Sequence, residues 1–234
     1  RSGVQYSNHY TYETGNPFLV SEISRNTSYD LAYKWLTFNL TYEHVSDPIY
    51  QTVEMYKDNT TIGLMRMING KSYNNVTSTL NLQPTFGIWH PMLSAMVEKQ
   101  WFELETRDGR YLNKPVAMFR FNNTFDTKWA MFSVMMTYIT KGYEENLYIY
   151  KPLFNTDVSI YKSFLKDCLT FQLYVNDVFG TNDSHIIGKY GKLKETIFDE
   201  FSTSKISLTV RYKFNVTRSK YKGTGAGQSQ KDRM

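Results

Sequence analysis

The residues that could carry out catalysis or bind a metal are few, and they lie far apart in this chain. No two histidines stand at the spacing of zinc ligands, and none is paired with a cysteine. Cys168 lies beside Lys166 and Asp167, which could lower the pKa of a thiol, but no catalytic partner can be assigned to it. We interpret as loop or interface residues the four histidines His9, His44, His90 and His185.

Two acidic pairs and one glycine-rich segment are the remaining candidates for an active site. Glu103 with Glu105, or Asp199 with Glu200, could serve a glycosidase, but the sequence does not determine the distance between the carboxyl groups. The segment Gly223-x-Gly225-Ala226-Gly227 lacks the lysine and the strand–loop–helix context of a phosphate-binding loop, so we interpret it as flexible tail. The sequence therefore predicts no enzyme, no cofactor and no metal site.

The amino-acid composition is rich in aromatic residues. The chain contains 19 Tyr, 15 Phe and 4 Trp in 234 residues, and these residue types favour β-strands and membrane–water interfaces. No run of about 18 apolar residues occurs, which excludes a helical membrane protein but leaves a β-barrel open, because barrel strands alternate. The net charge of +5 comes from Lys and Arg scattered along the body of the chain, so we expect no nucleic-acid partner.

Residues 205–214 show the clearest pattern of side chains. Every second residue is apolar or aromatic, and the residues between them are polar or charged. Because side chains alternate across a strand, the two faces of this segment meet different environments. The apolar face consists of Ile206, Leu208, Val210, Tyr212 and Phe214.

The same alternation returns along the chain and predicts about eleven strands, many of roughly ten residues. Turn signals such as Gly15-Asn16-Pro17 and Asn69-Gly70 separate the strands, and no segment shows a helical period. The predicted fold class is all-β with antiparallel strands. We expect one β domain over residues 1–215, followed by a basic, glycine-rich tail over residues 216–234.

Alternation alone is compatible with more than one architecture. In a soluble β-sandwich, which could bind carbohydrate through its surface Tyr and Trp, the apolar faces meet in a core. In an outer-membrane barrel the apolar faces meet lipid and the polar faces line the lumen. Strand length, terminal aromatic residues and abundant Tyr favour the barrel, which must close because lipid cannot satisfy an open sheet edge. A self-contained small barrel of the porin or adhesin type stays open as a further alternative.

Four segments resemble those of TonB-dependent outer-membrane receptors. Residues 10–19, which contain Gly15-Asn16-Pro17, resemble a GNP-x-L stretch of their barrels, and residues 175–179 resemble an N-[DN]-[LV]-F box on the third strand from the end. Residues 206–214 resemble the closing strand, whose alternating residues and terminal aromatic are read by the barrel-assembly machinery. The tail at residues 217–227 resembles the extension of the branch called the outer membrane protein beta-barrel family.

The resemblance implies that the chain is the C-terminal portion of a transmembrane β-barrel of about 22 strands in the outer membrane of a Gram-negative bacterium. In such receptors, surface loops bind a scarce nutrient, and an inner-membrane complex pulls an N-terminal plug through TonB. The implied partners are outer-membrane lipid, the remaining barrel and plug, TonB through that plug, and a surface lipoprotein. The implied assembly signal is the apolar face of the closing strand, with Ile206, Leu208, Val210, Tyr212 and Phe214.

The barrel interpretation also predicts how the chain is arranged. A periplasmic C-terminus places residues 179–184 in the periplasm and residues 198–204 and 165–168 outside. The closing strand is expected to pair with residues 185–197 and with a strand absent from this sequence. Predicted to face lipid are Leu208, Val210, Leu173, Phe171, Phe132 and Phe121, and predicted to face the lumen are Arg211, Thr209, Gln172 and Arg120.

Overall fold

The computed structural model consists of β-strands joined by turns and loops. In the ranges that it describes, no helix is long and apolar enough to span a bilayer. The predicted tail at residues 216–234 lies outside the described residues, as does Glu200 of one acidic pair. The structure describes residues 3–57, 59–106, 109–190, 193–199 and 203–214.

The described residues form 19 strands, where the sequence predicts about eleven. The all-β class is confirmed, and all but one of the strand pairings are antiparallel. In chain order the strands are β1 (Val4–Asn8), β2 (Thr11–Thr14), β3 (Ile23–Tyr33), β4 (Leu36–Ser46), β5 (Ile49–Tyr56), β6 (Asn59–Asn69), β7 (Tyr73–Leu82), β8 (Trp89–Gln100), β9 (Phe102–Thr106), β10 (Gly109–Leu112), β11 (Val116–Asp126), β12 (Met131–Ile139), β13 (Gly142–Glu144), β14 (Leu147–Ile149), β15 (Leu153–Phe164), β16 (Leu169–Asn176), β17 (Ser184–Tyr190), β18 (Leu193–Asp199) and β19 (Lys205–Tyr212).

Nine of these strands form one large antiparallel sheet. Its order, from one edge to the other, is β3-β4-β7-β8-β11-β12-β15-β16-β19, so each strand lies beside the next member along the chain. The tight hairpin predicted from the change of alternation near Lys34 is confirmed, because Tyr33 lies opposite Leu36. The sheet is a single layer, and both of its faces are therefore available to different surroundings.

The two ends of the large sheet are built differently. At one end, called here the short-turn end, the strands are joined by residues 34–35, 83–88, 127–130 and 165–168. At the other, the loop end, every connection contains a further hairpin: β5–β6, β9–β10, β13–β14 or β17–β18. These hairpins explain most of the excess of strands over the predicted number, because their alternation continues that of the large sheet.

The loop-end strands pair with one another in three small sheets. Strands β1, β2, β6 and β5 form one, in which β2 runs parallel to β6, β9 pairs with β10, and β13, β14, β17 and β18 form the third. The best-buried apolar cluster lies here and not at the middle of the large sheet. Its members are Val45, Tyr50, Tyr73, Phe102 and Leu112.

The predicted neighbour of the last strand is wrong. Strand β19 pairs with β16, whereas residues 184–199 form the hairpin β17–β18 beyond the loop end. The Lys213 N–H donates to Cys168 O at 2.8 Å, so residues 165–168 lie at the same end as the end of β19. Ser204 Oγ donates to Asp177 O at 2.8 Å, which puts the start of residues 179–184 at the loop end.

The predicted sides of residues 179–184 and 165–168 are therefore also wrong, because both were assigned to the opposite end. One hairpin was counted as a spanning strand, and this inverts the side of every earlier turn. Of the connection at residues 198–204, residues 200–202 lie outside the described part of the chain.

Strands β3 and β19 are the two edges of the large sheet. Among the described residues, β19 is hydrogen-bonded to β16 alone and does not pair with the first 35 residues of the chain. The sheet is open in this chain. A partner strand for β19 from elsewhere stays a prediction.

Candidate functional site

One face of the large sheet is apolar from edge to edge. Phe171 lies opposite Val210 and Leu173 opposite Leu208, and the strand pairings place Phe121 on the same face. A soluble sandwich would bury these side chains beneath a second sheet. Here Leu208 is 66% exposed and Val210 is 53% exposed. The apolar face is thus uncovered by protein, as in a sheet whose solvent is lipid.

The opposite face of the sheet is polar, and its side chains are linked across strands. Asn39 Nδ2 donates to Asp30 Oδ1 at 2.7 Å on β4 and β3. Tyr174 OH donates to Asp157 Oδ2 at 2.8 Å on β16 and β15. These bonds satisfy polar groups on a surface that suits a water-filled lumen. The same face carries Arg120, Gln172, Thr209 and Arg211.

A belt of aromatic rings lies at the short-turn end of the sheet. Trp89 stacks between Phe86 and Phe125, with ring centroids 5.3 and 6.3 Å away. Trp129 stacks on Phe132 at 5.8 Å. Tryptophan collects where hydrocarbon meets water, because its ring is apolar and its N–H is polar.

Aromatic rings also collect at the loop end. Phe154 stacks on Phe179 at 6.4 Å, and Tyr148 and Tyr150 lie with ring centroids 6.4 Å apart. Trp101 is 48% exposed at the end of β8. Two aromatic belts therefore bound the apolar face, and strands of about ten residues tilted by about 45° cover an apolar band about 25 Å tall.

Gln100 fixes the loops on the lumen side of the loop end. Its side chain is 2% exposed, and its Nε2 donates to Leu112 O at 2.6 Å and to Glu145 O at 2.8 Å. Its Oε1 accepts the Glu145 N–H at 2.7 Å. One side chain thus joins β8 to the β10 and β13–β14 segments. Burial is the main cause that raises the pKa of Glu145, with smaller contributions from Glu22 and Glu144.

Asn146 makes a second set of contacts between loops. Its side-chain Nδ2 donates to Gln51 O at 3.2 Å and to Lys189 O at 3.1 Å, and its carbonyl accepts the Lys189 N–H at 2.9 Å. Three hairpins, β5–β6, β13–β14 and β17–β18, are therefore held together by one buried amide. The loop end is a packed unit, because hydrogen-bonded side chains of this kind resist separation.

A buried aspartate joins three strands where the large sheet meets β17–β18. Asp177 is 0% exposed, and its N–H donates to Asp157 Oδ1 at 2.9 Å. Its carboxylate accepts N–H bonds from Thr181 at 2.9 Å and Asn182 at 3.2 Å, and a bond from the Thr203 hydroxyl. This network, which we call the Asp177 knot, ties β15, β16 and the approach to β19 together.

The carboxyl group at the centre of the Asp177 knot is ionised. Burial by itself raises the pKa of Asp177, but the hydrogen bonds from Thr203, Thr181 and Asn182 outweigh that effect and lower the pKa. The backbone at Asp177 has φ 46°, in the left-handed region that Asp tolerates better than most residues. The Asn-Asp-Val-Phe segment seen in the sequence thus forms a corner of the sheet.

A polar hollow of about 520 Å³ opens among the loops. Glu103 Oε2 accepts a bond from Arg110 Nη2 at 2.7 Å and lies 3.8 Å from Lys71 Nζ. Gly70 contacts the Tyr50 ring so closely that an added Cβ would lie 2.4 Å from its Cε1. Burial raises the pKa of the Tyr50 phenol, which stays neutral. Cationic donors, a carboxylate and an aromatic wall suit a small polar ligand.

The residues singled out in the sequence are not brought together. His44 Nδ1 lies 2.8 Å from Asn74 Oδ1, and the His185 ring packs on Tyr150 at 4.6 Å. Cys168 has a free thiol in a turn at the short-turn end. Of the acidic pairs, Glu103 binds Arg110, while the side chains of Glu105 and Asp199 lie outside the description. In the described ranges, no group of three or more His, Cys, Asp or Glu is placed to hold a metal ion.

Comparison with known families identifies the two-faced sheet. A family profile described as the outer membrane protein beta-barrel family matches residues 2–212, nearly the whole chain. The chain belongs to the outer membrane protein beta-barrel family. No curated protein and no solved structure matches the chain.

Membership of the outer membrane protein beta-barrel family explains the arrangement of the faces. The chain is an outer-membrane barrel protein, so lipid covers the apolar face and the polar face lines the lumen. The outer membrane belongs to Gram-negative bacteria, which places the chain in that compartment. The residues of the proposed assembly signal, Ile206, Leu208, Val210, Tyr212 and Phe214, are all exposed large hydrophobic residues of β19 and its end.

Sequence reasoning missed the residues that pack the loop end. Nothing near Gln100 or Asn146 marks them, because their partners are backbone groups of other segments, in one case 95 residues away. Asp177 could have been found, since it lies within the quoted Asn-Asp-Val-Phe segment and an Asp after a strand commonly accepts local N–H bonds.

Proposed function

We propose that this chain is the C-terminal portion of the barrel of a TonB-dependent outer-membrane receptor for energised nutrient uptake. The observation that carries the proposal is the open sheet, whose edge strands β3 and β19 have no further partner among the described residues. In lipid, each unpaired N–H or C=O group costs several kcal/mol. Further strands must therefore complete the barrel, and a receptor of about 22 strands supplies them.

The segments that resemble the receptor family lie at structural joints, which supports the proposal. The Asn16 side chain donates to Met67 O at 3.0 Å and accepts the Phe18 N–H at 3.0 Å, so the Gly-Asn-Pro segment is fixed on β6. The Asn-Asp-Val-Phe segment carries Asp177, the centre of the knot. A shared joint at each end of the chain favours a common barrel plan.

The proposed part played by this chain is a fixed wall with an outer binding surface. A nutrient would first meet the polar hollow beside Glu103 and Arg110, and would then pass along the polar inner face. Gln100 and Asn146 fix the surrounding loops, so the opening step belongs to the plug that TonB pulls. A surface lipoprotein would act above the same loops.

Energised uptake can be tested in the bacterium that carries the gene. Deletion of the gene should abolish growth on at least one limiting nutrient from a panel of iron complexes, cobalamins and oligosaccharides. Complementation with the full-length gene should restore uptake, and a protonophore should abolish it, because the coupling energy comes from the proton gradient. Uptake that is linear with concentration and indifferent to the protonophore would indicate a porin and contradict the proposal.

Two arginine variants test the part played by the polar hollow. Arg110→Gln removes the cation that binds Glu103, and we expect a raised half-saturation concentration with normal barrel assembly. Arg66→Gln is the matched control, because Arg66 forms a similar pair with Glu54 at 2.6 Å but does not line the hollow. Equal uptake by both variants would remove the hollow from the proposal and leave the barrel assignment intact.

A further inference from the structure

Three lysines at the loop end lie over aromatic rings. A ring face attracts an ammonium group, and it also belongs to the residue types that settle at the membrane interface. We call this set of six residues the rim cluster. Measured from Nζ to ring centroid, Lys99 lies 5.9 Å from Trp101, Lys114 lies 5.6 Å from Tyr148 and Lys141 lies 5.1 Å from Tyr150.

The rim cluster is one continuous surface. Lys114 Nζ donates to Tyr148 OH at 3.3 Å, and the centroids of Tyr148 and Tyr150 are 6.4 Å apart. Lys99 Nζ donates to Asn113 O, the residue next to Lys114. The three ammonium groups can therefore act on one ligand.

The rim cluster lies where the apolar face of the sheet ends. Alternation along β8 puts Lys99 on the same face as Val97, which lies opposite Ala117. Thr140, beside Lys141, donates its N–H to Ala117 O at 2.9 Å. The cations thus follow directly after the last lipid-facing residues of β8, β11 and β12.

No carboxylate within the described ranges forms an ion pair with a lysine of the rim cluster. Glu98, the acid next to Lys99, lies on the opposite face of β8, where its Oε1 accepts a bond from Asn75 Nδ2 at 3.0 Å. Glu144 is exposed on β13, close to Lys141 in the chain, and lowers the local positive charge without forming a pair. Three positive charges therefore remain for an external anion.

We propose that the rim cluster binds the phosphate groups of an anionic lipid in the outer leaflet. Barrel proteins carry their long loops on the cell surface, so the loop end meets that leaflet. Ammonium groups donate to phosphate oxygens, and each lysine near an anionic surface favours binding about fivefold. A free phosphate ion would meet the same charges, but only a lipid also covers Val97 and the apolar face below.

The experiment uses the full-length protein extracted from outer membranes, with lipid binding followed by native mass spectrometry. The probes are diphosphoryl lipid A and its monophosphoryl form. We expect the wild-type protein to bind the diphosphoryl form at least about fivefold more tightly. Lys99→Gln, Lys114→Gln and Lys141→Gln combined should abolish this preference, and the corresponding triple arginine variant should keep it.

Lys57→Gln is the matched control, because Lys57 also lies over a ring, Tyr56 at 5.2 Å, but belongs to the tip of the β5–β6 hairpin. The control should behave as wild type. If the triple variant does not assemble, the exposed Lys141→Gln alone should reduce the preference about fivefold. Equal binding of the two probes by wild type, an unchanged preference in the glutamine variants, or full displacement by inorganic phosphate would each overturn the proposal.

Discussion

The Asp177 N–H donates to Asp157 Oδ1 at 2.9 Å, so two buried acids on neighbouring segments are joined through a backbone group. Asp157 also accepts the Tyr174 hydroxyl at 2.8 Å, and Asp177 accepts from both sides of the β17–β18 connection. The position of the last strand therefore depends on a hydrogen-bonded corner and not on apolar packing alone.

Substitution of Asp177 should loosen this corner. In Asp177→Asn, the new amide places N–H donors against the donors of Asn182 or Thr181, and we expect a loss of about 1–3 kcal/mol in local stability. Hydrogen exchange of residues 177–190 in the full-length protein measures it. Asp183→Asn is the control, because the Asp183–Lys151 pair is exposed, and its effect should stay below about 1 kcal/mol.

Acid should open the same corner. The folded-state pKa of Asp177 is lowered, so its stabilising contribution is fully present above the ordinary Asp pKa of about 3.9 and is lost as pH falls through the lower folded value. Protease sensitivity of residues 177–190 should rise in that acidic range in the wild type. A variant with Asn at 177 should lack this step, and a pH response identical to that of wild type would contradict the assignment.

Gln100 should matter more than its single side chain suggests. Gln100→Leu leaves Leu112 O, Glu145 O and the Glu145 N–H without their partner, at about 1–3 kcal/mol for each group that stays unpaired. We expect a lower melting temperature of the extracted full-length protein. Gln83→Leu, at an exposed position of the short-turn end, should melt close to wild type.

The lipid face can be distinguished from the lumen face on the last strand. Arginine on the lipid face of a barrel costs about 2–4 kcal/mol at the membrane midplane. Val210→Arg should therefore reduce the amount of folded protein in the outer membrane far more than Thr209→Arg on the other face. Resistance of the folded barrel to SDS before heating reports the difference, and equal losses would argue against the facing described here.

The thiol of Cys168 tests the topology. Cys168 lies at the short-turn end, next to Lys213, and should not react with a reagent that cannot cross the outer membrane. A Lys57→Cys probe in a Cys168→Ser background should react, because residue 57 ends the β5–β6 hairpin on the surface side. Labelling of Cys168 in intact cells would invert the barrel.

The sequence by itself determined the fold class, the two faces and the kind of environment. Alternation has a period of two, which is a local property, so Leu208 and Thr209 can be assigned to opposite faces without knowledge of their neighbours. The same local reasoning explains the confirmed hairpin at Lys34. It also identified the segments that resemble the outer-membrane family.

Only the tertiary structure decided which strands span the sheet and which rise above it. Residues 184–199 alternate like a spanning strand, yet they form the β17–β18 hairpin, because Asp177, Asn146 and Ser204 fix their ends at the loop end. Strand pairing, the loop-end cluster and the contact of Lys99 with Asn113 depend on partners distant in the chain. Such pairings are decided by the sum of many long-range contacts, and periodicity carries no information about them.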